Sequence, residues 1–143
     1  MLRPTRIRSI YRVTPDRDAP AVARRIAAHE LADVPSTEIV ENAELLLSEI
    51  TAERLTASQA SDPRRTEIAP EQRITIDVGK SRERQRWAVV DRGSPSMPAG
   101  LRSAALDKIA QAWGVSRRMG LTRTWFELED RSRRRRDGNG SAP

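Results

Sequence analysis

Glu49 and Glu53 stand four residues apart in the stretch Ser36–Ala57, STEIVENAELLLSEITAERLTA. On a helix that spacing puts both carboxylates on one face, where two like charges weaken an isolated helix by roughly a few tenths of a kcal/mol. Carboxylates held close together can act as a base or as cation ligands, whereas glutamates that are simply solvated need no such role. The chain offers few other groups for chemistry. It has no cysteine, which excludes disulfides and thiolate metal sites, and one histidine, His29. One histidine builds no histidine-rich metal cluster, and no Ser-His-Asp triad unless His29 is itself the base. Its place on a surface helix argues for a solvated side chain.

The element that must position the glutamates is a long amphipathic helix. Ile39, Ala43, Leu46, Leu47 and Ile50 recur at helical spacing, which turns one face to a core and leaves Glu38, Glu41 and Glu44 in water. Ser36 suits the N-cap, and Thr37 and Glu38 put a polar group and a negative charge into the first turn. Upstream, Arg6–Val13 reads as an edge strand with its arginines in water. Thr14–Pro20 is a turn, with Asp18 as N-cap and Pro20 in the first turn of a helix over Ala19–Ala32. Downstream, Ser58–Glu71 reads as a loop, and Arg73–Val78 and Arg84–Asp91 as a hairpin of strands. After the Gly/Ser/Pro-rich loop Arg92–Gly100 come a helix over Leu101–Ala112 and a closing hairpin: Trp113–Arg118, a turn at Met119-Gly120, and Thr122–Glu129. Trp113 and one of Trp125 or Phe126 are expected under the helices. Helices need a face to cover, so the fold class is α+β, a two-layer sandwich of a mixed, mainly antiparallel sheet with helices on one face.

The 143 residues are enough for one domain, over residues 1–129, and Asp130–Pro143 reads as a disordered Arg-rich tail. The net charge of +6 is almost wholly arginine, Lys80 and Lys108 being the only lysines. Beside abundant alanine this reads as coding bias as much as selection, so nucleic acid is discounted as the default partner. The run Arg133–Arg136 is suited to nucleic acid or acidic surfaces, although a short terminal charge run is commonly just solvated. No apolar run approaches the roughly 20 residues that span a bilayer, and the N-terminus lacks the apolar core of a signal peptide. A cytoplasmic location without a membrane partner is expected.

Four segments carry a family likeness. AELLLSEITAE (Ala43–Glu53), VVDRGSPSMP (Val89–Pro98), AQAWGVSRR (Ala110–Arg118) and TWFELE (Thr124–Glu129) resemble, in order, segments of the small bacterial anti-sigma-factor-like serine kinases. These are histidine-kinase-like ATPases of the Bergerat fold. The resemblance implies ATP and Mg²⁺ between the long helix and the sheet, held by three motifs. In the first, a Glu acts as base and an Asn four residues later holds Mg²⁺; by position these are Glu49, the candidate base, and Glu53, an acidic substitute for the metal ligand. In the second, Asp-x-Gly-x-Gly, the Asp accepts from the adenine amino group. Here Asp91 and Gly93 are kept but Pro95 replaces the second Gly, which fixes φ and removes an N–H. In the third, Gly-x-Gly-Leu, helix N–H groups cradle phosphate; Gly100 is kept and Arg102 replaces the second Gly.

With all three motifs altered, the resemblance implies a regulator of transcription with a degenerate site, a pseudokinase that has weakened or lost ATP binding and acts by binding protein. The partner implied is a sigma factor or a STAS-domain anti-anti-sigma factor, and the chain is a candidate homodimer. Glu53 and Arg102, changed to opposite charges, are expected either to form an ion pair, shared with Glu49, or to leave Arg102 in water and available as a phosphate ligand. Two rival readings remain: an active ATP-dependent serine kinase acting on a STAS-domain partner with Glu49 as base, and an Arg-rich nucleic-acid-binding module. The latter lacks a set of stacking aromatics, the aromatic fraction being 3%.

Overall fold

Alternation and helical spacing map directly onto two layers. The structure, a computed structural model, describes residues 7–60, 73–81, 83–95 and 101–129, without the side chains of residues 7, 58–60, 101 and 102. The expected tail Asp130–Pro143 lies outside the described residues, as does most of the expected loop Ser58–Glu71. The elements are β1 (Ile7–Val13), α1 (Ala19–Glu30), α2 (Thr37–Ala60), β2 (Ile74–Lys80), β3 (Arg84–Asp91), α3 (Leu101–Ile109), β4 (Ala112–Arg118) and β5 (Leu121–Glu129). The sheet order is β1-β2-β3-β5-β4, and all four ladders are antiparallel. β3 and β4 therefore run the same way with β5 between them, joined by the crossover through α3.

Local chemistry fixes the boundaries. Ser36 caps α2, its Oγ accepting the Ile39 N–H at 3.4 Å. Asp18 departs from expectation: it sits at the N-cap of α1, but its backbone is already helical and its side chain makes no cap hydrogen bond. Asp16 does the local work, accepting the Asp18 N–H at 2.9 Å. α3 ends three residues before the expected Ala112, because the Gln111 N–H already bonds the Glu127 carbonyl at 2.9 Å and the chain enters the β4–β5 ladder. Met119 and Gly120 close that hairpin with φ of 54° and 76°, both left-handed, matching the twist of the strands.

The core lies between the helix layer and one sheet face. Ile39, Ala43, Leu46, Leu47 and Ile50 of α2 are buried against Ile74, Ile76, Val78, Trp87, Val89 and Phe126 of the sheet. Trp87 and Phe126 are register partners on β3 and β5, stacked with centroids 6.3 Å apart. Trp113 is half-buried beside this core. Trp125, one residue before Phe126, points to the opposite face, where its ring fills the space a Cβ on Gly114 would need and Arg86 lies 4.5 Å over it.

A polar cluster staples the β1 edge. Buried Glu30 at the end of α1 accepts from the Tyr11 hydroxyl and pairs with Lys80 at 2.7 Å, and Lys80 also donates to the Glu30 carbonyl at 2.9 Å, satisfying a helix-terminal group. Burial pushes the Glu30 carboxyl up, but hydrogen bonds from Lys80, Tyr11 and Ser9 and the Lys80 charge outweigh it and hold the group below the usual carboxylate range. Burial, then the bond to Glu30 and its charge, push the Tyr11 phenol up to about 12.

Phe126→Ala should lower unfolding free energy by about 3–5 kcal/mol in urea denaturation, the usual cost of emptying a buried aromatic site. The pH dependence has two limbs. Glu30, with its folded pKa depressed, stabilises above the ordinary carboxylate value near ~4 and loses that contribution as pH falls through its folded value. Tyr11, with its folded pKa raised from 10.0 to about 12, stabilises fully below 10 and loses that contribution as pH rises between the two. Urea midpoints should fall on both sides of neutrality, and Tyr11→Phe should flatten the alkaline limb; an alkaline limb unchanged in that variant would contradict the assignment.

Candidate functional site

At the end of β3 the chain builds a buried charged knot. Asp91 is 1% exposed and Arg54 of α2 is 1% exposed. Arg54 grips the carboxylate with both arms: Nε donates to Oδ2 at 2.6 Å and Nη2 to Oδ1 at 2.7 Å. The Gly93 N–H adds a third bond, to Oδ1 at 2.7 Å. That last contact is an Asx turn, in which the side chain of Asp91 takes the N–H two residues on. Thr122, the register partner of Asp91 on β5, is buried and donates its hydroxyl to the Gly93 carbonyl at 2.6 Å; Arg117 reaches the same oxygen at 3.5 Å. Carboxylate, turn and neighbouring strand are thus locked together, with a helix-borne guanidinium at the centre.

Arg54 is the residue that sequence reasoning missed. It lies four residues after Ile50 and seven after Leu47, so it continues the apolar stripe of α2 in the position of a core residue. The signal was an arginine at core spacing, and a buried arginine needs a carboxylate partner. The apolar stripe expected from the sequence ends at Ile50, one turn before Arg54.

The expected site residues are distributed as follows. Asp91 and Gly93 come together, bonded to each other. Glu49 and Glu53 are half-buried on α2, on the flank of the stripe that ends in Arg54. Gly100 and the side chain of Arg102 lie outside the described residues, and with them the expected Glu53–Arg102 pair; the backbone of Leu101 and Arg102 opens α3. Among the described residues no three histidine or acidic side chains gather as a metal-ligand set.

Asp91 is the position that the resemblance gives to the adenine amino group. Recognition of that group needs a carboxylate oxygen facing the space a purine would fill. Both Asp91 oxygens here face a guanidinium of the same chain, and neither side chain is open to solvent. The residues present do not fit a purine at this carboxylate unless Arg54 leaves.

A buried pair of this kind stabilises little beyond a well-packed apolar pair, yet removing one partner strands the other charge. Arg54→Ala and Asp91→Ala should each lower unfolding free energy by about 3–5 kcal/mol. The double variant should lose clearly less than the sum, with a coupling of about 0.5–3 kcal/mol measured by a double-mutant cycle in urea; additive losses would contradict a direct pair.

No protein-family model and no curated protein matches this chain. Among solved structures it is similar to the crystal structure of the RsbU and RsbW domains of Rv1364c from Mycobacterium tuberculosis, with a TM-score of 0.66 at 13% identity. The match covers 86% of this chain and 32% of that one, so the chain spans about a third of its neighbour's length. At such identity the likeness is one of fold, and the α+β two-layer sandwich expected from the sequence is the architecture the chain forms.

Proposed function

We propose that this protein is a regulator of the anti-sigma-factor serine-kinase type that acts by binding a protein partner, without ATP or Mg²⁺ as a working cofactor. The observation that carries the reading is the Arg54–Asp91 pair: the carboxylate that the resemblance assigns to adenine is saturated by the chain's own guanidinium and a backbone N–H, all buried. The three sequence changes at Glu53, Pro95 and Arg102 point the same way. The fold shared with an RsbW-containing protein supports a regulator of this class, and the partner proposed is a sigma factor or a STAS-domain anti-anti-sigma factor. The active-kinase reading, with Glu49 as base, would require Arg54 to swing out of the core and leave Asp91 to the nucleotide.

Calorimetric titration of ATP and ADP, with and without Mg²⁺, separates the two. The expected result is no saturable heat at millimolar nucleotide. Saturable micromolar binding, or transfer of phosphate to a STAS-domain protein, would overturn the proposal.

A further inference from the structure

The sheet face turned away from the helices carries a second constellation. Strand alternation sends Arg8, Ile10 and Arg12 of β1, Thr75 and Asp77 of β2, Arg84, Arg86 and Val90 of β3, and Leu121, Arg123 and Glu127 of β5 to this side. At its centre Asp77, only 7% exposed, is gripped from both flanks. Arg8 donates from Nε at 3.1 Å and Nη2 at 2.8 Å, and Arg123 donates from Nη1 at 3.2 Å. Burial pushes the Asp77 carboxyl up, but the hydrogen bonds and charges of Arg8 and Arg123 hold it below the usual carboxylate range. The two guanidiniums are fixed on the face while their side chains remain 65% and 36% exposed.

Around this centre lies a depression of about 410 Å³ lined by arginines and by apolar side chains. Ile10, Val90 and Leu121 are its apolar lining; Ile10 is 58% and Leu121 39% exposed, two of the few large apolar side chains left in water among the described residues. Arg73 and Arg92, both exposed, line it with Arg8 and Arg123. A second depression of about 350 Å³ shares Arg8, Asp77 and Arg123 and runs on to Arg84 and Arg86, so the two form one strip across the sheet.

We propose that this strip docks an acidic amphipathic segment of a partner protein, its carboxylates meeting the arginines and its aliphatic side chains the exposed apolar residues Ile10, Val90 and Leu121. Charge complementarity selects the occupant: Asp77 is already shared between two arginines, and the strip keeps an excess of guanidinium, whose planar fork suits carboxylates. The same excess opposes a second copy placed face to face. A nucleic acid fits less well. The face has one large aromatic ring, Trp125, which lies on Gly114 beneath Arg86 and is not open for base stacking. The strip is separate from the Arg54–Asp91 knot, on the other side of the sheet, so this proposal does not depend on the nucleotide reading.

The test is fluorescence anisotropy of a labelled helical peptide of roughly 18 residues, with leucines on one stripe and glutamates flanking it, titrated with the full chain. Saturable binding that weakens as salt is raised is expected, with a loss of about tenfold or more in the Arg73→Glu/Arg92→Glu double variant and a clear loss when serines replace the peptide's leucines. Both arginines are exposed, so the variant should keep its thermal melt; Arg73→Ala/Arg92→Ala, measured in parallel, should give a smaller loss in the same direction. Undiminished binding in both variants, binding abolished instead by changing Arg133–Arg136 to alanine, or tighter binding of a double-stranded DNA of equal charge would each overturn the assignment.

Discussion

The structure turns on one buried charge pair. An arginine at a core position of the long helix has to meet a carboxylate, because a guanidinium left unpaired in that interior would cost several kcal/mol, roughly. Arg54 finds it in Asp91, the last residue of β3. The contact therefore sets where α2 lies along the sheet, and the same carboxylate folds the chain leaving β3 by taking the Gly93 N–H. Thr122 then ties the turn to β5. A helix, two strands and the turn between β3 and the crossover share one set of hydrogen bonds, so a change at any of these residues is felt by all of them.

The two faces of the sheet solve the charge problem in opposite ways. On the helix side, charges are few and sequestered: Arg54 with Asp91, and Glu30 with Lys80 and Tyr11 at the β1 edge. On the outer side charge is abundant and only partly neutralised, with Asp77 organising Arg8 and Arg123 and Glu127 lying 3.6 Å from Arg86. Strand periodicity separates them: Ile74, Ile76 and Val78 alternate with Thr75 and Asp77, so one short strand supplies the core and the centre of the arginine field at once.

Most of the fold is legible in the sequence because it rests on periodicity. The stripe Ile39–Ile50, the alternation Ile74-Ile76-Val78 and the Met119-Gly120 turn each place an element within a few residues. Boundaries that depend on partners are not legible: α3 stops early because Gln111 bonds Glu127, a contact 16 residues away in sequence. The site was legible only in its carboxylate and glycine. The resemblance singles out Asp91 and Gly93, but what faces Asp91 is set by the packing of α2 over β3, and periodicity names an apolar face without saying which polar residue is drawn into it. An arginine and an acid do meet where α2 covers the end of β3, Arg54 and Asp91, while the expected Glu53–Arg102 pair lies outside the described residues.

A carboxylate at the end of a buried strand can be satisfied by a ligand or by the chain itself, and the choice governs how the fold can be regulated. If a ligand supplies the donors, the site is complete only when loaded, and loading stabilises the folded state by mass action. With Arg54 in place the site is complete in the free chain, so a nucleotide would have to displace a bidentate, fully desolvated guanidinium before gaining its own contact. That displacement costs about as much as breaking a buried pair, about 3–5 kcal/mol, which would weaken a micromolar ligand by roughly two to three and a half orders of magnitude. On the proposed reading, nucleotide concentration has little hold on this protein, and control passes to surfaces that remain open. The outer sheet face, with guanidiniums fixed in place and aliphatic side chains left in water, is such a surface.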